Sequence, residues 1–198
     1  MFHNTLYRLE RGQKKVLLGL GIAFLVLSIL WLFVEIFELG YPMEPIVVFV
    51  GGIATLFASY WPWKPNYKDK RLEGRNEFDY ENTNNGRFDI GRELMEFTLK
   101  FSKASDVSIH VYSDPENIKR VAKIPGIGRF DEVRDVTALE YSNRAVTIGE
   151  GELVALENIN GSYAIVHIHD IRDATREDDR DEVTFSYIIN PVGKTNFS

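Results

Sequence analysis

Two long apolar runs without a single charged residue dominate the first third of the chain. The first extends from Val16 to Val34 and the second from Ile46 to Trp63. As a helix, the first run spans about 28 Å, close to the ~30 Å hydrocarbon core of a bilayer. Backbone amides in lipid must be hydrogen-bonded within their own segment, so we predict two transmembrane helices, at about 16–37 and 45–63, joined as a hairpin.

Basic residues flank this hairpin on the side opposite its short connector. The connector, residues 35–44, holds three Glu and no Lys or Arg. The positive-inside rule therefore places both termini in the cytoplasm. The alternatives are a cleaved signal peptide, whose apolar core is normally shorter, and a buried helix pair of a soluble protein. The flanking basic residues are Arg8, Arg11, Lys14, Lys15, Lys64, Lys68, Lys70 and Arg71.

Small residues four positions apart occur in both apolar runs. Gly19 and Ala23 lie in the first run, and Gly51 and Thr55 lie in the second. Such spacing lets helices approach closely, either within the hairpin or between protomers of a homo-oligomer. Glu35 lies one residue beyond the first uncharged run, where it is either an interfacial residue or an acid at membrane depth with a functional role.

After the linker, apolar and polar residues alternate with period two. Residues 95–101 and 107–112 show this most clearly and are typical of half-buried antiparallel strands. Asp114, Pro115 and Gly126 carry helix start and stop signals, which predict one short helix at 114–123. Further strands are expected at 78–81, 136–141, 145–148, 153–157, 163–171 and 183–189, with turns at 84–86 and 160–161.

These elements predict a membrane-anchored all-β protein. Residues 1–63 form an N-terminal tail and the transmembrane hairpin, 64–75 a basic juxtamembrane linker, and 76–198 a cytoplasmic strand-rich domain. One short helix is too few for parallel crossovers, so we expect an antiparallel β-barrel of about eight strands, with a sandwich as the alternative.

The amino-acid composition excludes several kinds of site and of binding partner. The chain has no cysteine, which excludes disulfides, thiolate metal sites and a cysteine nucleophile. Residues 76–198 carry 14 Lys and Arg against 23 Asp and Glu, a net charge of -9. A nucleic-acid polymer is therefore not an expected partner, because its binding needs a basic surface.

Catalytic motifs are sparse. His167 and His169 project to the same face of one expected strand and Asp170 follows them, which is a weak metal-binding pattern. Gly126, Gly128 and Arg129 resemble part of a phosphate-contacting loop, although a third glycine is missing. The acidic run 170–182 lacks the central glycine of a calcium-binding loop. We therefore expect no enzyme activity, no metal and no cofactor.

Arg and Tyr are the side chains that would recognise a small anionic ligand with an aromatic base. Arg binds phosphate through paired hydrogen bonds, and Tyr offers a face for stacking. The residues of these types in or beside the expected strands, and hence the candidate ligand-binding residues, are Tyr112, Arg129, Tyr141, Arg144 and Tyr163.

The order of these parts resembles that of a family of bacterial proteins. Two apolar spans, VLLGLGIAFLVLSILWLFV and IVVFVGGIATLFASYWPW, precede alternating strands that end in AIVHIHDI and VTFSYII. The chain resembles, over its whole length, the two-transmembrane, β-strand-rich effectors that accompany nucleotide cyclases in bacterial anti-phage defence (CBASS and related systems). The resemblance implies a β-barrel that senses a cyclic oligonucleotide from a cognate cyclase, and hairpins that oligomerise and disrupt the inner membrane.

Three functional hypotheses from different classes follow. The first is a non-enzymatic membrane effector that responds to a cyclic nucleotide. The alternative is a membrane-anchored scaffold or interaction protein without a small-molecule ligand, and a third hypothesis is a tethered metal-dependent enzyme that uses His167, His169 and Asp170.

Overall fold

The computed structural model describes residues 2–198, which form two compact units. The helical unit comprises Phe2–Asn66 and the β unit comprises Tyr67–Ser198. The β unit therefore begins at Tyr67, within the segment 64–75 that the sequence suggests as a linker.

The helical unit contains two helices, α1 (Phe2–Ile36) and α2 (Glu44–Ser59). Residues 2–15 belong to α1 because they are mostly Leu, Glu, Arg, Gln and Lys, which are good helix formers. The helix α2 starts with Pro at its first turn and ends at Ser59, and Tyr60 is already extended with φ -137°.

Membrane-crossing capacity differs between these helices. Among residues 2–198, α1 alone is long and apolar enough to cross a membrane. Its 35 residues extend about 52 Å, whereas the 16 residues of α2 extend about 24 Å. The second span and the orientation of the chain are not supported by the structure and stay predictions.

The two helices contact each other through a small residue of α2. A Cβ on Gly51 would lie 2.8 Å from Cε2 of Phe24, so the Phe24 ring packs where glycine leaves room. Gln13 Nε2 also donates to the Phe57 carbonyl at 3.3 Å. Gly51 therefore packs against a helix of the same chain, whereas Gly19 and Ala23 of α1 are exposed.

The β unit contains ten strands in two five-stranded sheets. Sheet I has the order β1-β3-β4-β5-β7 and sheet II the order β2-β10-β9-β8-β6. All neighbours are antiparallel except β1 and β3. The strands are β1 (Lys68–Asp69), β2 (Glu73–Asp79), β3 (Arg87–Ile90), β4 (Phe97–Lys103), β5 (Ser108–Tyr112), β6 (Ile118–Ile124), β7 (Ala145–Gly149), β8 (Leu153–Asn158), β9 (Tyr163–Arg172) and β10 (Glu182–Ile189).

The all-β prediction is confirmed, but the closed eight-stranded barrel is wrong. Each sheet keeps its own two edges, and the main core lies between the sheets. Its centre is an aromatic cluster of Phe78, Phe88, Phe101 and Phe185, whose ring centroids lie 5.3 to 6.2 Å apart. Burial of these inward rings holds the two sheets together.

A second apolar cluster covers the outer face of sheet II. Ala155 and Ile165 of the sheet pack there with Val136 and with Phe197 near the C-terminus. Every residue of β8 is consequently buried. This double coverage explains why residues 153–157 show no alternation in the sequence.

The helix expected at 114–123 is wrong, because most of this segment is strand β6. The partner of Ile118 is Asn158 and that of Arg120 is Glu157, so Lys119 is the extra residue of a β-bulge. The bulge shifts the phase of the alternation, so that Ile118 and Val121 both reach the core. Apolar residues three apart then imitate a helical period.

Two other local predictions have opposite outcomes. The strand expected at 136–141 is wrong: Val136–Ala138 is a 3-10 turn in which the Asp135 carboxylate accepts from Thr137 N–H at 3.0 Å. The turn at 84–86 is confirmed, with positive φ at all three residues. A Cβ on Gly86 would lie 2.3 Å from the Phe101 carbonyl oxygen, so glycine is required there.

Candidate functional site at the seam between the two sheets

The edge strands β6 of sheet II and β7 of sheet I meet at a seam. Val121 of β6 and Ser142, just before β7, exchange two backbone hydrogen bonds of 3.0 and 2.7 Å. Beside this bridge lies an open groove of about 410 Å³. We call the bridge and the groove together the seam. The groove is lined by Lys123, Pro125, Ala138, Leu139, Glu140 and Val146.

A buried carboxylate organises the charges at one end of the seam. Glu157 is 4% exposed and accepts hydrogen bonds from Lys119 Nζ, at 2.7 Å, and from Arg120 Nε. Burial alone would raise the pKa of Glu157, but the hydrogen bonds and charges of these two cations outweigh it and lower the pKa. The cluster therefore carries one net positive charge at the edge of sheet II.

Arg120 links this cluster to two tyrosines. Its guanidinium lies 4.0 Å from the ring centroid of Tyr141, a cation–π contact, and the nearby Tyr163 side chain contributes to raising the pKa of Arg120. The Tyr141 hydroxyl donates to the Val136 carbonyl at 3.1 Å, and burial raises the pKa of that hydroxyl. The site thus combines a guanidinium, an aromatic face and an adjoining groove.

The structure brings some of the candidate ligand-binding residues together. Tyr141 and Tyr163 meet at Arg120, and Arg144 lies two residues beyond the bridging Ser142. The Arg144 carbonyl accepts from Ser113 N–H at 2.9 Å, while its guanidinium has no hydrogen bond or ion pair with any of the described residues 2–198. Arg144 is therefore an exposed cation, close in sequence to the bridge, whose guanidinium is available to an anion.

Tyr112 and Arg129 are placed differently. Tyr112 pairs with Ala145 in sheet I, its hydroxyl is 2.9 Å from Ser102 Oγ, and Lys100 Nζ lies 5.0 Å from its ring centroid. Arg129 is exposed and bound to Asp131 at 2.7 Å, away from the groove lining. Lys119, Arg120 and Glu157 are not among the sequence candidates. Lys119 and Arg120 lie in the segment predicted to be a helix, and no local pattern shows that Glu157 of β8 pairs with them.

The two histidines of β9 do lie on one face, as their spacing predicts. Their ring centroids are 4.2 Å apart, and His169 Nε2 is 2.7 Å from Ser186 Oγ. Burial lowers the pKa of both His167 and His169, which favours neutral rings. Asp170 is instead paired with Arg172 at 3.3 Å, and residues 2–198 contain no group of three side chains suited to hold a metal ion.

Carboxylates of the acidic run 170–182 form hydrogen bonds and ion pairs with other groups of the β unit. The Asp173 carboxylate is 2.7 Å from Lys103 Nζ and accepts from Thr175 N–H, and these bonds lower the pKa of Asp173 to about 2. Asp181 accepts from Ala174 N–H at 3.2 Å. The run therefore shapes the loop between β9 and β10.

Glu35 of α1 lies in an apolar surface cavity of the helical unit. The cavity has a volume of about 440 Å³ and is also lined by Phe24, Ser28, Trp31, Leu32 and Val47. Thr55 donates its hydroxyl to the Gly51 carbonyl at 2.9 Å, so that its polar group is satisfied within α2.

Comparison with known proteins gives no relative: no protein-family model, curated protein or solved structure shows significant similarity to this chain.

Proposed function

We propose that the protein is a non-enzymatic membrane effector of bacterial anti-phage immunity. In this proposal α1 anchors the chain in the inner membrane, and the β unit senses a cyclic nucleotide in the cytoplasm. The observation that carries the proposal is the Arg120–Tyr141 cation–π pair at the seam. An open groove lies beside the bridge, and the exposed guanidinium of Arg144, without a hydrogen bond or ion pair among residues 2–198, belongs to a residue two positions from the bridging Ser142.

The chemistry of the seam suits a phosphate-bearing ligand with bases. Guanidinium groups bind phosphate oxygens through charge-assisted hydrogen bonds, and tyrosine rings stack on bases. Local cations decide binding at this range, so the net negative charge of the β unit discourages polynucleotides while leaving a small anion able to bind.

The link from ligand to membrane is a shift between assemblies. A ligand that binds one oligomeric state more tightly than another shifts the population towards that state by its differential affinity. We expect protomers to associate at the exposed Gly19 and Ala23 of α1. The space beside Gly51 is already occupied by the Phe24 ring of the same chain.

Calorimetric titration of the full chain in lipid nanodiscs with cyclic dinucleotides and trinucleotides tests the proposal. We expect saturable heat for one of these ligands. Arg144→Gln should weaken its binding about tenfold or more, because a charge-assisted contact is worth about 1.5–3 kcal/mol. Arg87→Gln, the same charge change on an exposed residue of β3, is the matched control and should bind like the parent chain.

The second candidate is a membrane-anchored scaffold without a small-molecule ligand. The observation that favours it is the pairing of both Lys119 and Arg120 with Glu157, which leaves one net positive charge in the cluster for a ligand. Absence of saturable heat across the panel, with protein that is folded in the nanodisc, would favour the scaffold.

A further inference from the structure

Three of the four large aliphatic side chains exposed on the β unit lie at one of its ends. Leu94, Ile159 and Val192 are 59%, 62% and 50% exposed, and the fourth, Val107, is 48% exposed. Leu94 lies between β3 and β4, Ile159 between β8 and β9, and Val192 directly after β10. The strand registers place these three connections together, whereas Val107, between β4 and β5, lies at the opposite end.

The chain enters the β unit at the end that carries the three aliphatics. Strand β1 pairs with the last residues of β3, and Leu72 accepts a hydrogen bond from Ile189 N–H at the end of β10. We call this the proximal end and the opposite one the distal end. Only residues 60–66 separate α2 from Tyr67, and a chain of that length spans at most about 25 Å.

The proximal loops are held rigidly by buried polar side chains. The Leu94 carbonyl accepts from Asn158 Nδ2 at 2.8 Å and from Ser162 Oγ at 3.2 Å, and both donor residues are fully buried. The backbone N–H of Ile159 donates to the Asn117 carbonyl at 3.1 Å. These bonds fix two loops that leave Leu94 and Ile159 exposed, so an apolar surface that covers them would gain the free energy of burying their side chains.

Charge separates the two ends of the β unit. The proximal connections 67–72, 91–96, 113–117, 158–162 and 190–194 hold five basic and five acidic residues. The distal connections 80–86, 104–107, 149–152 and 173–181 hold two basic and nine acidic residues, a net charge of -7. An anionic membrane surface therefore repels the distal end and accepts the proximal end.

Cations lie beside the exposed aliphatics. Arg92 is two residues from Leu94, Lys194 is two residues from Val192, and Lys70 lies next to β1. All three are exposed and have no ion pair with any other residue of the described range 2–198. Aliphatic side chains flanked by free cations suit the interface of a bilayer with anionic headgroups.

We propose that the proximal end of the β unit is a membrane-docking surface, in which Leu94, Ile159 and Val192 insert into the interface of an anionic bilayer. Arg92, Lys194 and Lys70 contact the headgroups, and the acidic distal end faces away from the lipid. The proposal rests on the membrane anchorage through α1 that is part of the proposed function. Docking sets the orientation of the seam relative to the membrane.

The absence of cysteine makes a labelling experiment direct. The single variants Leu94→Cys, Ile159→Cys, Val192→Cys and Val107→Cys, each in the full chain, are labelled with an environment-sensitive fluorophore. Each is reconstituted into phosphatidylcholine vesicles with and without phosphatidylglycerol. Ser28→Cys in α1 is the anchorage control, and Val107→Cys is the matched distal control. Quenching by lipids that carry a spin label near the headgroup reports contact with the interface at positions 94, 159, 192 and 107. Quenching by lipids that carry the spin label deep in the acyl chain reports position 28, inside the bilayer.

We expect a blue shift and strong quenching at positions 94, 159 and 192, stronger with phosphatidylglycerol, and no quenching at position 107. Quenching at 28 without quenching at 94, 159 and 192 would overturn docking and leave the anchorage standing. A blue shift at 94 without lipid quenching would also overturn it, since a second protein surface would then cover the loop. Absence of quenching at all positions, including 28, would overturn the anchorage as well.

Discussion

At the scale of single residues, the carboxylate of Glu157 holds Lys119 and Arg120 in place at one end of the seam. It lies almost fully buried between a lysine that is 58% exposed and an arginine that is 32% exposed, so its two partners keep access to water. Arg120 in turn lies on the ring of Tyr141. Loss of Glu157 would leave two like charges side by side and free the guanidinium from its position.

Glu157→Gln is therefore expected to lower the free energy of unfolding by about 2 kcal/mol, since an amide cannot neutralise the two cations. Urea unfolding of the full chain in micelles, followed by circular dichroism, measures this. The control is Glu152→Gln, which removes a solvent-exposed ion pair with Lys123. That change should cost less than about 1 kcal/mol. Equal costs at the two positions would contradict the role given to Glu157.

A pair of neutral histidines makes the β unit sensitive to acid. Burial lowers the pKa of His167 and His169 below the ordinary value of 6.5, so the unfolded chain binds protons that the folded chain resists. Stability should therefore be full above about pH 7 and fall as the pH drops through 6.5 and below. A pH series of thermal unfolding checks the direction.

The variant His167→Gln should make this pH dependence shallower, because one of the two titrating groups is removed. Ser186→Ala is its control, since it removes the hydroxyl beside His169 without removing a titrating group. A dependence that stays as steep in His167→Gln as in the parent chain would contradict the assignment.

At the scale of elements, the pattern of the sequence predicts a strand wherever one face of that strand alone is buried. Strands β4 and β5 alternate regularly, and both were predicted. Strand β6 was missed because the bulge at Lys119 breaks its alternation, and β3 because its four residues are too few for a pattern. The strand expected at 153–157 is confirmed as β8, although it lacks alternation because the second cluster covers its other face.

The same limits apply to the candidate site. Tyr141 and Tyr163 were found from residue type and position, and they meet at Arg120. Arg120 is not among the candidates because it lies in the segment 114–123, which the sequence predicts to be a helix, and the candidates were chosen in or beside expected strands. The seam depends on which edge strands meet, and this is decided by contacts between residues distant in the chain, which no local pattern records.

The contact between α1 and α2 depends on Gly51. Gly51→Leu is expected to destabilise the helix pair by about 1 to 3 kcal/mol, because the new side chain occupies the space of the Phe24 ring. Thermal loss of the helical circular-dichroism signal in micelles measures the effect. Gly52→Leu is the matched control, since a Cβ there meets nothing within 4 Å. A larger effect at Gly52 than at Gly51 would show that the helices pack through another face.

At the scale of the whole molecule, charge and apolar surface are divided between the units and along the β unit. The apolar surface is concentrated in α1, and the acidic surface at the distal end of the β unit. The proposed effector uses this division: an anchor in lipid, a docking end beside it, and a ligand-binding seam in the cytoplasm. Each of these roles requires the β unit to lie on the cytoplasmic side of a membrane that the chain enters.

The most direct measurement labels a single cysteine at the C-terminus. Ser198→Cys, in an otherwise cysteine-free chain, is expressed in bacteria and treated with a membrane-impermeant maleimide before and after permeabilisation. The label is then quantified in membranes washed with alkaline carbonate. We predict that the protein stays in the washed membranes and is labelled only after permeabilisation. Protein in the carbonate supernatant, or labelling of intact cells, would contradict the account.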